Sequence, residues 1–163
     1  MKLRRRERQV EEKSEIEAII RQCDVCRLAF ADNNIPYIVT MNFGYSPQRQ
    51  CFYFHSACEG RKLSFMSKNN YVCFEMDTGH MIIEAERACD WGMEYSSIVG
   101  YGRLNTVDCN VERKYGLDTI LSHYSDSNEF IYNESVFVHT MVLRLDIEDI
   151  SGKRNGNMLN ATV

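Results

Sequence analysis

The chain lacks most of the features that would announce its class directly. No apolar run approaches the roughly twenty residues that a membrane-crossing helix needs. There is no G-x-S-x-G, no phosphate-binding P-loop and no G-x-G-x-x-G following a strand, so the enzyme classes built on those motifs have no support. The four histidines, His55, His80, His123 and His139, share no metal-ligand spacing, and no metal site is expected. Excess positive charge is missing too: a net charge of −4 over 163 residues argues against a general nucleic-acid binder. Internal repeats and linkers are absent, which leaves one domain over residues 14–154. Basic residues crowd only at the start, in Lys2, Arg4, Arg5, Arg6 and Arg8. No apolar h-region follows them, so they do not read as a secretory signal. Residues 1–13 read instead as a solvated, flexible segment, the alternative being a contact with phosphate or an acidic partner. Residues 155–163 read as a disordered tail.

What is present is ordinary in bulk and specific in detail. Hydrophobic content of 44% and charged content of 26% suit a globular domain with a proper core. The seven cysteines are odd in number and mostly sit in apolar runs, so they read as reduced thiols of a cytoplasmic protein. Cys23-Asp-Val-Cys26 is a C-x-x-C, but no second pair stands at zinc-ribbon spacing. It also joins a helix end to a strand start, the reverse of the thioredoxin order, so a core role outweighs a redox or metal one.

Ser14-Glu-Ile-Glu17 has the capping-box pattern, and Ile16, Ile19, Ile20 and Cys23 follow at helical spacing, predicting a helix over residues 14–23. Alternating residues 26–31 predict a strand. Asp32-Asn33-Asn34 marks a turn, and a second strand runs over residues 35–43. After a turn at residues 44–49, a third strand spans residues 50–55. Connections this short imply antiparallel pairing. A helix at residues 60–68, a strand at 71–76, a hairpin turn at Asp77-Thr-Gly-His80 and a strand at 81–86 come next. Residues 95–107 read as a long strand bent or bulged at Gly100 and Gly102. A helix over residues 108–124 would turn Val111, Tyr115, Leu121 and Tyr124 inward. A polar loop and a last strand over residues 138–150 complete the chain. About six antiparallel strands with a few short helices predict a mainly β fold, a small barrel whose closure hides sheet edges.

Chemistry concentrates at Phe52-Tyr-Phe-His-Ser-Ala-Cys-Glu-Gly-Arg-Lys-Leu-Ser-Phe65, where a strand stops at a small-residue turn and feeds a helix. Arg61 and Lys62 fall in the first helical turn, where the helix dipole favours carboxylates over cations. Two cations beside free backbone N–H groups are understandable if an anion, most simply a phosphate, lies between them. The alternative is two solvated basic residues on a surface helix. His55 ends the strand and is either a ligand contact or a polar cap. Cys58, beside the turn, has no orienting partner and reads as a small filler.

Three blocks in order carry a resemblance: Pro36-Tyr-Ile-Val-Thr-Met-Asn-Phe-Gly-Tyr45, Tyr53-Phe-His-Ser-Ala-Cys-Glu-Gly-Arg-Lys62 and Val72-Cys-Phe-Glu-Met76. Ala88-Cys-Asp-Trp-Gly-Met-Glu-Tyr-Ser-Ser-Ile-Val-Gly-Tyr-Gly-Arg103 and Ser151-Gly-Lys153 extend it over residues 20–154. The chain resembles the FMN-binding split-barrel proteins related to pyridoxamine 5′-phosphate oxidase, in the branch of the nitroimidazole-resistance proteins. That resemblance implies a six-stranded antiparallel split barrel and a homodimer with FMN between the subunits. It places Tyr37, Ile38, Val39, Thr40 and Asn42 along the flavin ring. Ser56, Gly60, Arg61 and Lys62 would surround the phosphate with His55 beside them, and Trp91 and Ser97 would approach from the facing side. Thr40 replaces a proline common in the branch, and the substrate-clamping arginines of the true pyridoxamine phosphate oxidases are absent near the C-terminus. His55 is the candidate catalytic residue, for proton or electron delivery. The implied function is an FMN-dependent oxidoreductase passing electrons from a donor such as NAD(P)H to a small acceptor, conceivably a nitroaromatic. The rivals are a non-catalytic flavin- or haem-binding sensor or storage protein, and a barrel carrying a deazaflavin.

Overall fold

The computed structural model describes residues 5–127 and 129–156. Eight strands form one antiparallel sheet in the order β3-β2-β6-β7-β8-β5-β4, with β1 added to the free edge of β8. They are β1 Gln9–Val10, β2 Cys26–Asp32, β3 Ile35–Met41, β4 Gly44–Ser46, β5 Cys51–Ser56, β6 Tyr71–Ile83, β7 Gly92–Thr106 and β8 Met141–Asn155. Four helices accompany them: α1 Lys13–Gln22, α2 Arg61–Met66, α3 Asn110–Tyr124 and α4 Glu134–His139. The sheet is a barrel that does not close, since β3 and β4 end its path without pairing to one another. The strand count exceeds the expected six because β1 and β4 are very short strands. Gln9 and Val10, from the segment read as a solvated arm, pair with Lys153 and Gly152 of β8. The part of the predicted tail over residues 157–163 lies outside the described residues, whereas Asn155 still belongs to β8.

Two apolar clusters organise the packing. The larger fills the barrel with Phe43, Phe52, Phe54, Phe74, Leu28, Ile98 and Leu145, and α1 closes one end with Ile16, Ile19 and Ile20. Cys23 and Cys26 belong to it as well. The smaller cluster lies on the outer side of β5 and β8, where Cys51, Tyr53 and Val142 meet Leu117 and Ile120 of α3. This is why residues 51–54 are all buried and why β8 is apolar on both faces at Val142 and Leu143. Gly116 sets the helix distance, for a Cβ there would meet the Tyr53 ring at 2.7 Å. The inner face of α3 is therefore built on Gly116, Leu117 and Ile120. Val111, Leu121 and Tyr124, expected inside, are exposed.

Three other expectations change. Helix α1 starts at Lys13, so Ser14 lies inside it and Glu12 holds the N-cap position without a side-chain cap bond. Asp77-Thr-Gly-His80 is no hairpin turn: β6 runs on to Ile83 through an irregularity between Thr78 and Met81, with Gly79 at φ +69°. The residues expected to form a polar loop hold most of α4, capped by Asn133, whose side chain accepts from Ser135 N–H, and because the helix runs to His139 the last strand starts at Met141 instead of residue 138. The irregularity predicted for β7 is found between Tyr101 and Gly102. Gly100 must be glycine, since a Cβ there would collide with the Phe74 ring and the Asp149 carbonyl.

Candidate functional site

The stretch from β5 to α2 folds as a strand, a tight turn and a short helix. Gly60 carries the turn at φ +130°, a conformation that disfavours any side chain, and the space in front of it is open. Ser56 is buried at the end of β5, its hydroxyl donating to Ala57 O at 2.7 Å. Helix α2 is anchored by Phe65, which packs against Tyr37 of β3 at 5.2 Å and Phe30 of β2 at 6.5 Å between ring centroids. Over this aromatic shelf lies the Arg61 guanidinium, 4.9 Å from the Tyr37 ring centre and 5.6 Å from that of Phe65. The shelf holds the cation by its face and leaves the hydrogen-bonding edge of the guanidinium available. Phe65 was not singled out from sequence, although its position one helical turn after Arg61 was a usable signal.

Lys62 stands beside Arg61, and burial lowers the pKa of its ammonium group. Among the described residues no carboxylate pairs with either cation, while Lys68, two turns on, is paired with Asp32 at 2.6 Å. Two adjacent cations, one partly desolvated, with no carboxylate partner among the described residues, form a basic patch whose chemistry suits a phosphate. This geometry carries the anion reading better than the dipole does, because α2 spans only six residues.

Strand β3 adds a second element. Among the described residues it pairs only with β2, so its outer edge presents unpaired backbone groups. Tyr37 and Val39 pack toward the core, whereas Ile38 is 64% exposed and Thr40 and Asn42 are also exposed. Tyr37, Gly60, Arg61 and Lys62 are thus brought together, with Ser56 at the end of the strand leading in.

Three predicted residues fall elsewhere in the chain. His55 alternates with Ser56 on β5, and its side chain turns to the α3–α4 side, lining a cavity there instead of joining the cations. Ser97 lies across the sheet: Thr40 pairs with Arg27, Arg27 with Glu75 and Glu75 with Val99, which places Thr40 three strands, about 14 Å, from β7. Trp91 is farther along the β6–β7 ribbon, 52% exposed, with its indole N–H donating to Ala85 O at 2.7 Å. That ribbon also exposes Met81, Ile82, Ile83 and Met93. Its root carries a charged group in which Arg27 binds both Glu75 and Asp77, and His80 lies 2.7 Å from Asp77.

The C-x-x-C thiols are inert by environment. Burial, then the charge of Asp77, pushes Cys23 up to about 12, and burial raises Cys26 as well. No group of metal-ligating side chains is present among the described residues. No helix among them is long and apolar enough to cross a membrane.

An antiparallel barrel left open between β3 and β4 is the architecture of a split-barrel protein. The chain belongs to the pyridoxamine 5′-phosphate oxidase-like split-barrel family, in the branch of the nitroimidazole-resistance proteins, and the family model matches residues 12–154. A candidate 5-nitroimidazole antibiotic resistance protein from Bacteroides thetaiotaomicron is similar at 31% identity, with 90% of this chain and 86% of that one covered and a TM-score of 0.79. The FAD- and haem-binding protein of Mycobacterium smegmatis shares the fold at 14% identity, covering 92% and 74% with a TM-score of 0.81. An FAD-binding protein of Mesorhizobium loti does so at 24% identity, covering 91% and 98% with a TM-score of 0.65. No curated protein matches the chain.

Proposed function

We propose that the chain is a flavin-binding oxidoreductase that uses FMN and works as a homodimer. The observation that carries this reading is the pair Arg61 and Lys62, held beside Tyr37 and Gly60 with no carboxylate partner among the described residues. The pocket fits a terminal phosphate: Arg61 and Lys62 supply charge, and the open face of Gly60 allows close approach of backbone. A compact cationic pocket favours FMN over the larger FAD. The free edge of β3 offers backbone donors and acceptors to the polar rim of the flavin ring, with Tyr37, Ile38, Val39, Thr40 and Asn42 along it.

The exposed apolar ribbon supports the homodimer. Within one chain Ser97 and Trp91 stand apart from these cations, and among the described residues nothing covers Met81, Ile82, Ile83 and Met93 of the ribbon leading to Trp91. A partner laid on that ribbon would bury it and bring the two residues to the other subunit's pocket. When bound, the flavin supplies the redox chemistry, moving electrons from a donor such as NAD(P)H to a small acceptor, with nitroaromatics as the candidate class. The protein's share is to grip the phosphate, orient the ring and exclude water.

The test is reconstitution followed by spectroscopy. Stoichiometric FMN binding with flavin absorption, a dimeric mass in solution and NAD(P)H oxidation enhanced by a nitroimidazole are the expected results. A Soret band with haem and no uptake of FMN would overturn the proposal.

A further inference from the structure

Strand β7 sends alternate side chains to opposite faces, so buried Ser96 points into the barrel while Tyr95 and Ser97 stand half-buried on the outside. Ser97 is paired across the ladder with Asp77 of β6 on one side and Lys153 of β8 on the other. Directly opposed residues share a face with Cβ atoms about 5 Å apart, which sets the Ser97 hydroxyl in a row between a carboxylate and an ammonium. Tyr95 is the next residue on that face, its ring centre 5.4 Å from Lys153 Nζ. Gln9 of β1 also pairs with Lys153, and Arg8 before it reaches the same phenol.

The charges around that phenol are of one sign. Among the described residues no carboxylate pairs with Lys153 or Arg8. Nearby carboxylates are engaged or face elsewhere. Asp77 is bound by Arg27 and His80, Glu94 leaves β7 on the opposite face beside Gly156, and Glu7 lines a depression with Glu15 and Arg154. Hydrogen bonding from Lys153, opposed by burial, and the charges of Lys153 and Arg8 hold the Tyr95 hydroxyl below the ordinary phenol range. A phenol beside two cations can release its proton and keep the charge left behind neutralised, as a general acid must. We infer that Tyr95 is the proton donor of the reaction proposed above, with Lys153 and Arg8 holding its phenolate and Ser97 offering the acceptor a hydrogen bond. The inference rests on the flavin reading and on the second copy that would carry this face, with Ser97, to its neighbour's cationic turn. In the step, an electron pair passes from the reduced flavin to the acceptor, the Tyr95 O–H bond breaks, and its proton goes to the acceptor's oxygen. Solvent then returns a proton to the phenolate.

Two measurements test this. In flavin-free protein carrying tyrosine isotope-labelled at Cζ, NMR follows the Tyr95 signal, identified by its loss in Tyr95→Phe. That signal should titrate at higher pH in Lys153→Met than in wild type. In FMN-loaded protein oxidising NAD(P)H with a nitroimidazole acceptor, Tyr95→Phe should lower kcat about a hundredfold while FMN affinity stays within about twofold. The fall of kcat at high pH, where the phenol has lost its proton, should move to higher pH in Lys153→Met. A Tyr95 titration unmoved by Lys153→Met, or a kcat in Tyr95→Phe within about threefold of wild type, would overturn the proton-donor role. Failure of wild-type protein to take up FMN would remove the flavin reading and this role together, whereas FMN-bound protein giving either of those results overturns the role alone.

Discussion

Replacing Arg61 and Lys62 together separates a phosphate pocket from a merely basic turn. FMN and riboflavin differ only by the phosphate, so a contact to that group appears as a difference between the two ligands. Charge-assisted hydrogen bonds contribute about 1.5–3 kcal/mol each, and the lower end applies here because the pocket is open to solvent on the Gly60 side. Two such contacts give about 3 kcal/mol, a loss of about a hundredfold in FMN affinity. Riboflavin affinity should move by about fivefold or less, the part due to Arg61 leaving the Tyr37–Phe65 shelf, where a cation over an aromatic face contributes about 0.5–1 kcal/mol. Lys62→Ala alone leaves that shelf intact and should show the FMN-specific loss without the shared one. Flavin-fluorescence titrations at low salt give the constants, and raising the salt should narrow the gap. Equal losses for both flavins, or no loss for either, would refute the phosphate assignment and leave the two cations as solvated surface residues.

Four further outcomes follow from the same structure. Burial lowers Lys62's pKa, so the unfolded chain binds that proton more tightly and the penalty is full below the folded pKa, fading as pH rises toward the ordinary lysine value; thermal melts of flavin-free Lys62→Met at neutral pH should therefore exceed wild type, and a lower melting temperature would sink the argument. Burial pushes Glu112 up, but hydrogen bonds from Arg144 and Tyr53 and the charges of Arg144 and Arg49 outweigh it, leaving its pKa below normal. Its stabilisation is thus present above the ordinary carboxylate value and lost as pH falls through the folded one, so Glu112→Gln should cost about 1 kcal/mol at neutral pH and nothing in acid, as urea melts at both pH values would reveal. Gly100→Ala forces a methyl against Phe74 and the Asp149 carbonyl and should cost about 2 kcal/mol or more, readable as a drop of about 5 °C in melting temperature. Cys23 and Cys26 should resist alkylation in the native protein while exposed Cys58, Cys89 and Cys109 react, and mass spectrometry showing rapid labelling of the buried pair would contradict their placement in the core.

How far the sequence speaks depends on whether a feature is decided locally. The turn at Asn33-Asn34 was legible because both residues take positive φ, 47° and 66°, which asparagine tolerates. The amphipathic face of α1 was legible because Ile16, Ile19 and Ile20 repeat at helical spacing. The course of β6 was not, since Asp77-Thr-Gly-His80 has the composition of a turn and only pairing with β7 on both sides of Gly79 keeps it extended. The orientation of α3 was hidden for a related reason. Apolar residues occur around most of that helix, and a small residue, Gly116, selects the face by letting Tyr53 approach. For α4, the capping Asn133 followed by Glu134 was a readable start signal, overlooked within a polar stretch.

The candidate site divides along the same line. Arg61, Lys62 and Gly60 share one turn, so their proximity was local and could be read. His55 and Ser56 are also neighbours in sequence, yet a strand sends adjacent side chains to opposite faces. Once α3 and α4 cover one face of β5, His55 belongs to their cavity and Ser56 remains with the other side. This separation has a functional consequence. A histidine directed away from the cations is poorly placed to act on a flavin held by the same chain's Arg61 and Lys62. It can act there only if a second subunit brings its own cationic site toward the α3–α4 side. His55→Leu tests this: loss of FMN-dependent turnover with FMN affinity unchanged would assign the imidazole to the flavin reaction across the dimer. Unchanged turnover would leave His55 as a polar strand end, which is the outcome the alternation of β5 supports within one chain.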